Sequence, residues 1–191
     1  TALLRMPEQA PGYIFGAFVF TYGTTILGAS RNFLLIAVLA SAVLSFLWVT
    51  CAGHLSDRVG RKRMYIIGCV FVAVFGFVYF AMLDTRVPAL IFIAIAVSGL
   101  PIMTMYGPEA ALIAESFSPR LRYSGSSLGY QLASIIAGGP SPFIATALLA
   151  AFHTSQPIAL YILACAVIGI TATSLLTDYT GKDISAEYHG V

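Results

Sequence analysis

Charged side chains are missing from long tracts of this chain, and those tracts mark its elements. Gly12 to Ser30, Asn32 to Gly53, Met64 to Leu83 and Val87 to Pro108 contain no Asp, Glu, Lys or Arg. A bilayer core is crossed by a helix of roughly 20 predominantly apolar residues, ~17–25 with tilt, so each tract predicts one span. Tyr123 to Thr177 is a further charge-free tract of 55 residues, too long for one helix and interrupted by His153-Thr154-Ser155-Gln156-Pro157. Polar residues and a proline mark a loop there, which makes two spans. The pattern therefore predicts six spans, at about 12–30, 33–53, 64–83, 87–113, 124–152 and 157–177, with a cytoplasmic linker over 1–11 and a polar tail over 178–191. Helices are the expected form, because a lipid-facing backbone must satisfy its own hydrogen bonds and the alternation of a barrel strand is absent.

Composition agrees with that pattern. Of 191 residues 59% are hydrophobic and 9% charged, against about 25% charged in soluble domains. A net charge of +2 excludes an electrostatic nucleic-acid binder. Cys51, Cys69 and Cys165 lie far apart in apolar tracts without metal-site spacing, and read as small core residues. The opening TALLRMPEQAPG has neither an initiator Met nor a signal-peptide pattern, so the chain is expected to be part of something longer.

Orientation follows from the basic residues. With six spans, Arg5, Arg58, Arg61, Lys62, Arg63, Arg120, Arg122 and Lys182 fall on one side, and Arg31 and Arg86 on the other. The positive-inside tendency makes the first side cytoplasmic, with both termini there. Tyr65, Tyr123 and Tyr179 fall at cytoplasmic boundaries, where amphipathic rings favour the headgroup region.

The most specific segment is Gly53-His54-Leu55-Ser56-Asp57-Arg58-Val59-Gly60-Arg61-Lys62-Arg63, between spans two and three. It resembles the G-x-x-x-D-R-x-G-R-[RK] loop of the major facilitator superfamily. A second stretch, Tyr106-Gly107-Pro108-Glu109-Ala110-Ala111 followed by Glu115 to Gly125 and Ser127-Leu128-Gly129-Tyr130-Gln131, resembles the C-terminal half of its metabolite:proton symporter family. Tyr13, Tyr22, Leu27-Gly28 and Arg31 of the first span are similar to it too. That family includes carriers for shikimate, 2-oxoglutarate, citrate, and proline or betaine. The resemblance implies an all-α membrane fold: six transmembrane helices, arranged as two inverted three-helix repeats, forming one half of a twelve-helix carrier. It implies an N-terminal six-helix half as partner, a small organic acid or zwitterion as substrate, and the proton gradient as energy source, with no cofactor or metal. A bacterial inner-membrane location is expected.

Two groups of residues are candidates for function. Asp57, Arg58, Arg61, Glu115 and Arg122 share the cytoplasmic level, and the resemblance implies a latch that pairs them in one state of the cycle. Deeper, Tyr106 lies eight residues above Ala114, or about 12 Å at 1.5 Å per residue. Gln131 lies seven residues above Ser124, at nearly the same depth. With Glu109 and Tyr130 these side chains are expected to form a polar patch that binds substrate. In span one, Tyr22 and Thr25 offer hydroxyls beside Gly23.

Glu109 is the one acid inside a predicted span, where many family members carry Gln. Intramembrane acids are costly and point to function, so it is the candidate for proton coupling. No Lys or Arg is expected in the interior. Gly138-Gly139-Pro140-Ser141-Pro142 and Pro101 predict helix breaks facing protein or a wet cavity. His54 and His153 lie in loops, and no HExxH, nucleophile elbow or phosphate loop is present, which argues against an enzyme. The alternative readings are a half-size carrier acting as a homodimer, and a passive channel or non-transporting module.

Overall fold

A single glycine makes the sharpest corner of the fold. Gly60 sits at φ 104° and ψ 131°, a backbone region that an L side chain adopts only under strain. Helix α3 (Arg31–Val59) therefore ends, and α4 (Arg61–Asp84) begins, with one residue between them. Charge alone suggests a wider loop over 54–63; instead Asp57, Arg58, Arg61 and Lys62 all lie in helix. At the other end of α3 the Ser30 hydroxyl caps the helix by accepting from the Phe33 amide at 3.3 Å.

The computed structural model describes residues 2–115, 117 and 122–176. The expected tail at 178–191, with Tyr179 and Lys182, and Arg120 lie outside the described residues. Ahead of α3 come α1 (Met6–Tyr13), a π-helical segment (Ile14–Phe18) and α2 (Val19–Thr25). The stretch expected as a linker over 1–11 is thus helical from Met6, with Pro7 in the first turn.

After α4 the chain forms α5 (Pro88–Val97) and α6 (Gly99–Glu115), broken at Ser98. Pro101 has no N–H to return to the Val97 carbonyl, and the Ser98 amide and hydroxyl both turn to the Ile95 carbonyl, at 3.2 and 2.7 Å. Then follow α7 (Arg122–Ala133), a π-helical segment (Ser134–Gly138), α8 (Ser141–Phe152) and α9 (Gln156–Ser174). His153, left-handed at φ 56°, turns the chain between the last two.

Every regular element among the described residues is helical. Five stretches are long and apolar enough to cross a membrane: Arg31–Val59, Arg61–Asp84, Pro88–Glu115, Tyr123–Phe152 and Gln156–Ser174. The run from Met6 to Thr25 is more polar, since it carries Glu8, Gln9, Tyr13 and Tyr22. The chain is thus a multi-pass, all-helical membrane protein.

Helix α4 is central and packs on α6 and α9, while α3 lies on α5 and α6, and α1 on α9. Lipid gives apolar faces no reason to prefer each other, so close backbone approach and polar pairs supply cohesion. Gly107 is such an approach: a Cβ there would stand 2.8 Å from the Gly53 amide nitrogen. Around α4 the Phe15 and Tyr79 rings meet at 4.4 Å, beside buried Phe18 and Phe80.

Tyr65 departs from its expected place at the headgroups, being fully buried with its hydroxyl donating to the Leu4 carbonyl. Tyr123 is exposed. Cys69 and Cys165 are buried, whereas Cys51, expected in the core, is exposed. Along α3 the outer row of Ile36, Leu39, Val43 and Phe46 is exposed.

Candidate functional site

The corner at Gly60 sets up the first group of charges. Asp57 on the last turn of α3 and Arg61 on the first turn of α4 are four residues apart, with Arg61 NH2 3.3 Å from Asp57 Oδ1. The other guanidinium nitrogen of Arg61 donates to Glu115 Oε1 at the end of α6. The two arms differ in environment. Asp57 is largely exposed, which puts its pair in the range of about 0–1 kcal/mol, whereas the Glu115 side chain is 9% exposed. Arg58 is exposed. Arg122 opens α7, and its side chain lies outside the described residues.

Lys62, the next residue, reaches the other way. Its Nζ donates to the Ser174 and Leu176 carbonyls at 2.9 and 2.5 Å, closing the C-terminal end of α9 with a positive charge where the helix dipole favours one. Sequence spacing gave Lys62 no such role.

The second group forms around a residue that the sequence reading placed in the linker. Arg5 is 3% exposed, which corrects the expectation that no basic residue occupies the interior. Its Nε donates to Glu109 Oε1 at 2.5 Å and its NH2 to Glu8 Oε2 at 3.0 Å. Its guanidinium carbon stacks over the Tyr130 ring at 3.7 Å, and NH1 donates to the Tyr130 carbonyl at 3.3 Å. Stacking suits the weakly hydrated guanidinium. Glu109 has no solvent exposure, and its Oε2 has no hydrogen-bond partner among the described residues.

Of the four residues expected to form a polar patch, the structure joins Glu109 and Tyr130, and does so through Arg5. Tyr106 and Gln131 are exposed on α6 and α7. Arg5 and Glu8 escaped notice because they precede the first charge-free tract. A legible signal was present: Arg and Glu at i and i+3 around Pro7, spaced for one helix face.

Beside this cluster a groove of about 780 Å³ opens between the first helical run, α3 and the α5–α6 break. Glu8, Gln9, Tyr13, Ser41, Ser45 and Ser98 supply its polar groups, and the Gln9 amide donates to Glu8 Oε2 at 3.0 Å. The remaining lining is apolar, a combination suited to small ligands.

Tyr22 and Thr25 sit elsewhere. Tyr22 is buried, with its hydroxyl donating to Asp84 Oδ1, and the Ser155 hydroxyl donates to Asp84 Oδ2 at 2.6 Å. Asp84 thus ties together the ends of α2, α4 and α9. The Tyr22 proton is engaged there. Thr25 is exposed and donates to its own helix at the Thr21 carbonyl, at 2.6 Å. Among the described residues no group of three or more His, Cys, Asp or Glu is placed to hold a metal.

No family model matches the chain, and no solved structure does. Curated relatives do match. The shikimate transporter of Escherichia coli is 33% identical over 177 residues, covering 92% of this chain and 40% of the relative. An inner membrane metabolite transport protein of Escherichia coli is 33% identical over 174 residues, covering 87% of this chain and 38% of the relative. The citrate-proton symporter of Klebsiella pneumoniae is 27% identical over 165 residues, covering 86% and 37%. The chain spans about 40% of the length of the relatives it matches. These relatives are transporters, not enzymes, and with the membrane-length helices and the signatures at Asp57–Arg61 and Tyr106–Gln131 they show that the chain belongs to the metabolite:proton symporter family of the major facilitator superfamily.

Proposed function

We propose that the chain is the C-terminal six-helix half of a proton-coupled secondary transporter, working by alternating access with an N-terminal half in the bacterial inner membrane. The observation that carries this reading is the 33% identity to the shikimate transporter along 92% of the chain. A small organic acid or zwitterion is imported against its gradient, the proton gradient supplies the energy, and no nucleotide or metal is required. Both termini face the cytoplasm. The six helices are two inverted repeats of three, a geometry in which substrate binds between bundles near mid-membrane.

The polar groove, with Gln9, Tyr13, Ser41, Ser45 and Ser98 in its lining, supports a substrate site on this half, and Tyr106, Tyr130 and Gln131 are further candidate contacts for that substrate. The Asp57–Arg61–Glu115 group, with Arg58 and Arg122 at the same level, is the cytoplasmic latch. An ionic contact made in one state alone biases a rocking equilibrium. Glu109 is the group on this half that takes up the coupling proton.

The test is uptake by the full-length carrier in proteoliposomes, with radiolabelled shikimate, citrate, proline and glycine betaine offered in turn. Accumulation of one of them above the external concentration, driven by an inward proton gradient and collapsed by a protonophore, is the expected result. Equilibration without accumulation would make the protein a channel.

A further inference from the structure

Among the described residues the interior cluster contains two carboxylates and one cation. Arg5 touches both, Glu109 Oε1 at 2.5 Å and Glu8 Oε2 at 3.0 Å. The titratable groups that face this pair from the neighbouring helices are Tyr65 and Cys69 on α4 and Tyr130 on α7, with Tyr106 one turn from Glu109 on α6. All are ordinarily uncharged. Tyr65 spends its proton on the Leu4 carbonyl, and Cys69 Sγ lies 3.7 Å from Met105 Sδ. With both carboxyls ionised, the cluster therefore has one negative charge too many. That excess is badly placed, because Glu109 is shut off from solvent and its Oε2 meets no donor among the described residues. An unpaired buried charge is relieved most simply by taking up a proton.

We infer that Arg5, Glu8 and Glu109 form a site for a single proton, shared between the two carboxyls and balanced by the fixed arginine. Either carboxyl can hold the proton while the other stays paired with the guanidinium, so the site titrates as a unit. Glu8 lines the groove and Glu109 does not. The proton therefore enters and leaves through Glu8, from the space where substrate is expected. Arg5 holds the geometry through three hydrogen bonds and the Tyr130 ring, and its charge sets the count at one proton. Gln9, donating to Glu8 Oε2, orients the groove-side carboxyl. This assignment rests on the carrier reading for what the proton does, and on the geometry alone for its being bound.

Infrared spectroscopy of the full-length carrier in nanodiscs, titrated with pH, reads the site directly. The expected result is one protonated-carboxyl band that disappears at alkaline pH and is absent at neutral pH in both Glu109→Gln and Glu8→Gln, since each variant leaves one carboxylate matched by one arginine. Arg5→Lys keeps the charge count and is expected to keep the band. The inference is overturned if wild type has no titrating band, or if the band survives in either glutamine variant. Should a variant fail to fold, the wild-type titration and Arg5→Lys still decide. Exchange of labelled substrate across wild-type proteoliposomes without a proton gradient tests the carrier reading separately: exchange without a titrating band removes the proton site and leaves the carrier.

Discussion

Arg5 and Glu109, separated by 104 positions in sequence, form a fully buried ion pair with Arg5 Nε 2.5 Å from Glu109 Oε1. The pair joins the start of the first helix to the middle of α6. Removing the cation takes from buried Glu109 the donor to its Oε1, beside an Oε2 that meets no donor among the described residues, and leaves the nearby Glu8 charge uncompensated. Arg5→Ala is therefore expected to cost about 3–5 kcal/mol, the range for breaking one side of a buried pair. Adding Glu109→Gln should recover part of that loss. Thermal unfolding of the detergent-solubilised protein, followed through the double-mutant cycle, checks both statements.

At the opposite end of the molecule Asp84 accepts from Tyr22 and Ser155. Tyr22→Phe deletes one charged hydrogen bond without altering the ring packing against Phe18 and Phe80. A loss of about 1.5–3 kcal/mol is expected. If Tyr22 acts through Asp84, Asp84→Asn combined with Tyr22→Phe costs less than the two separately.

Arg61 is bound on one side by exposed Asp57 and on the other by Glu115. Under the latch proposal, Arg61→Ala raises the population open to the cytoplasm by about fivefold, the factor that roughly 1 kcal/mol gives. Its readout is labelling of Ser45→Cys on the groove wall, in a background with Cys51, Cys69 and Cys165 changed to Ser, by an impermeant maleimide from each side. Unchanged labelling would show the pair to be a surface contact without a role in the cycle.

Gly107→Ala forces a methyl group to within 2.8 Å of the Gly53 nitrogen. Backbone cannot yield as a flexible side chain can, so the α3–α6 contact must open at a cost of about 1–3 kcal/mol. Melting temperature reports the loss, and Gly12→Ala, where a Cβ meets nothing within 4 Å, is the control expected to stay near wild type.

How much of this was legible beforehand depends on the kind of residue. Helices such as α3, α4 and α9 follow from charge-free tracts, since lipid leaves a bare backbone no other option. Asp57, Arg61 and Glu115 could be grouped because their helix ends lie at one level. Arg5 and Glu8 were passed over despite their i and i+3 spacing, because a rule that ends each span at its first charge excludes charges that are neutralised by packing. Asp84 was lost in the same way at the end of α4. Tyr65 was misplaced because a tyrosine near a span end looks alike whether its hydroxyl finds water or, as here, the Leu4 carbonyl. The helix break appears at Ser98 and not at Pro101, because proline disrupts the carbonyl four residues earlier, not its own turn.

Arg61 and Lys62 are consecutive residues that grip different neighbours, α6 through Glu115 and the end of α9 through its carbonyls. A bracket bolted in two directions at adjacent points has no play of its own. While Arg61 holds Glu115, pulling on the Gly60 corner drags the ends of α3, α4, α6 and α9 together, so this end of the bundle behaves as one stiff plate. In that state any large movement at this face comes from the plate tilting as a whole, and release of Arg61 from Glu115 is what separates its parts.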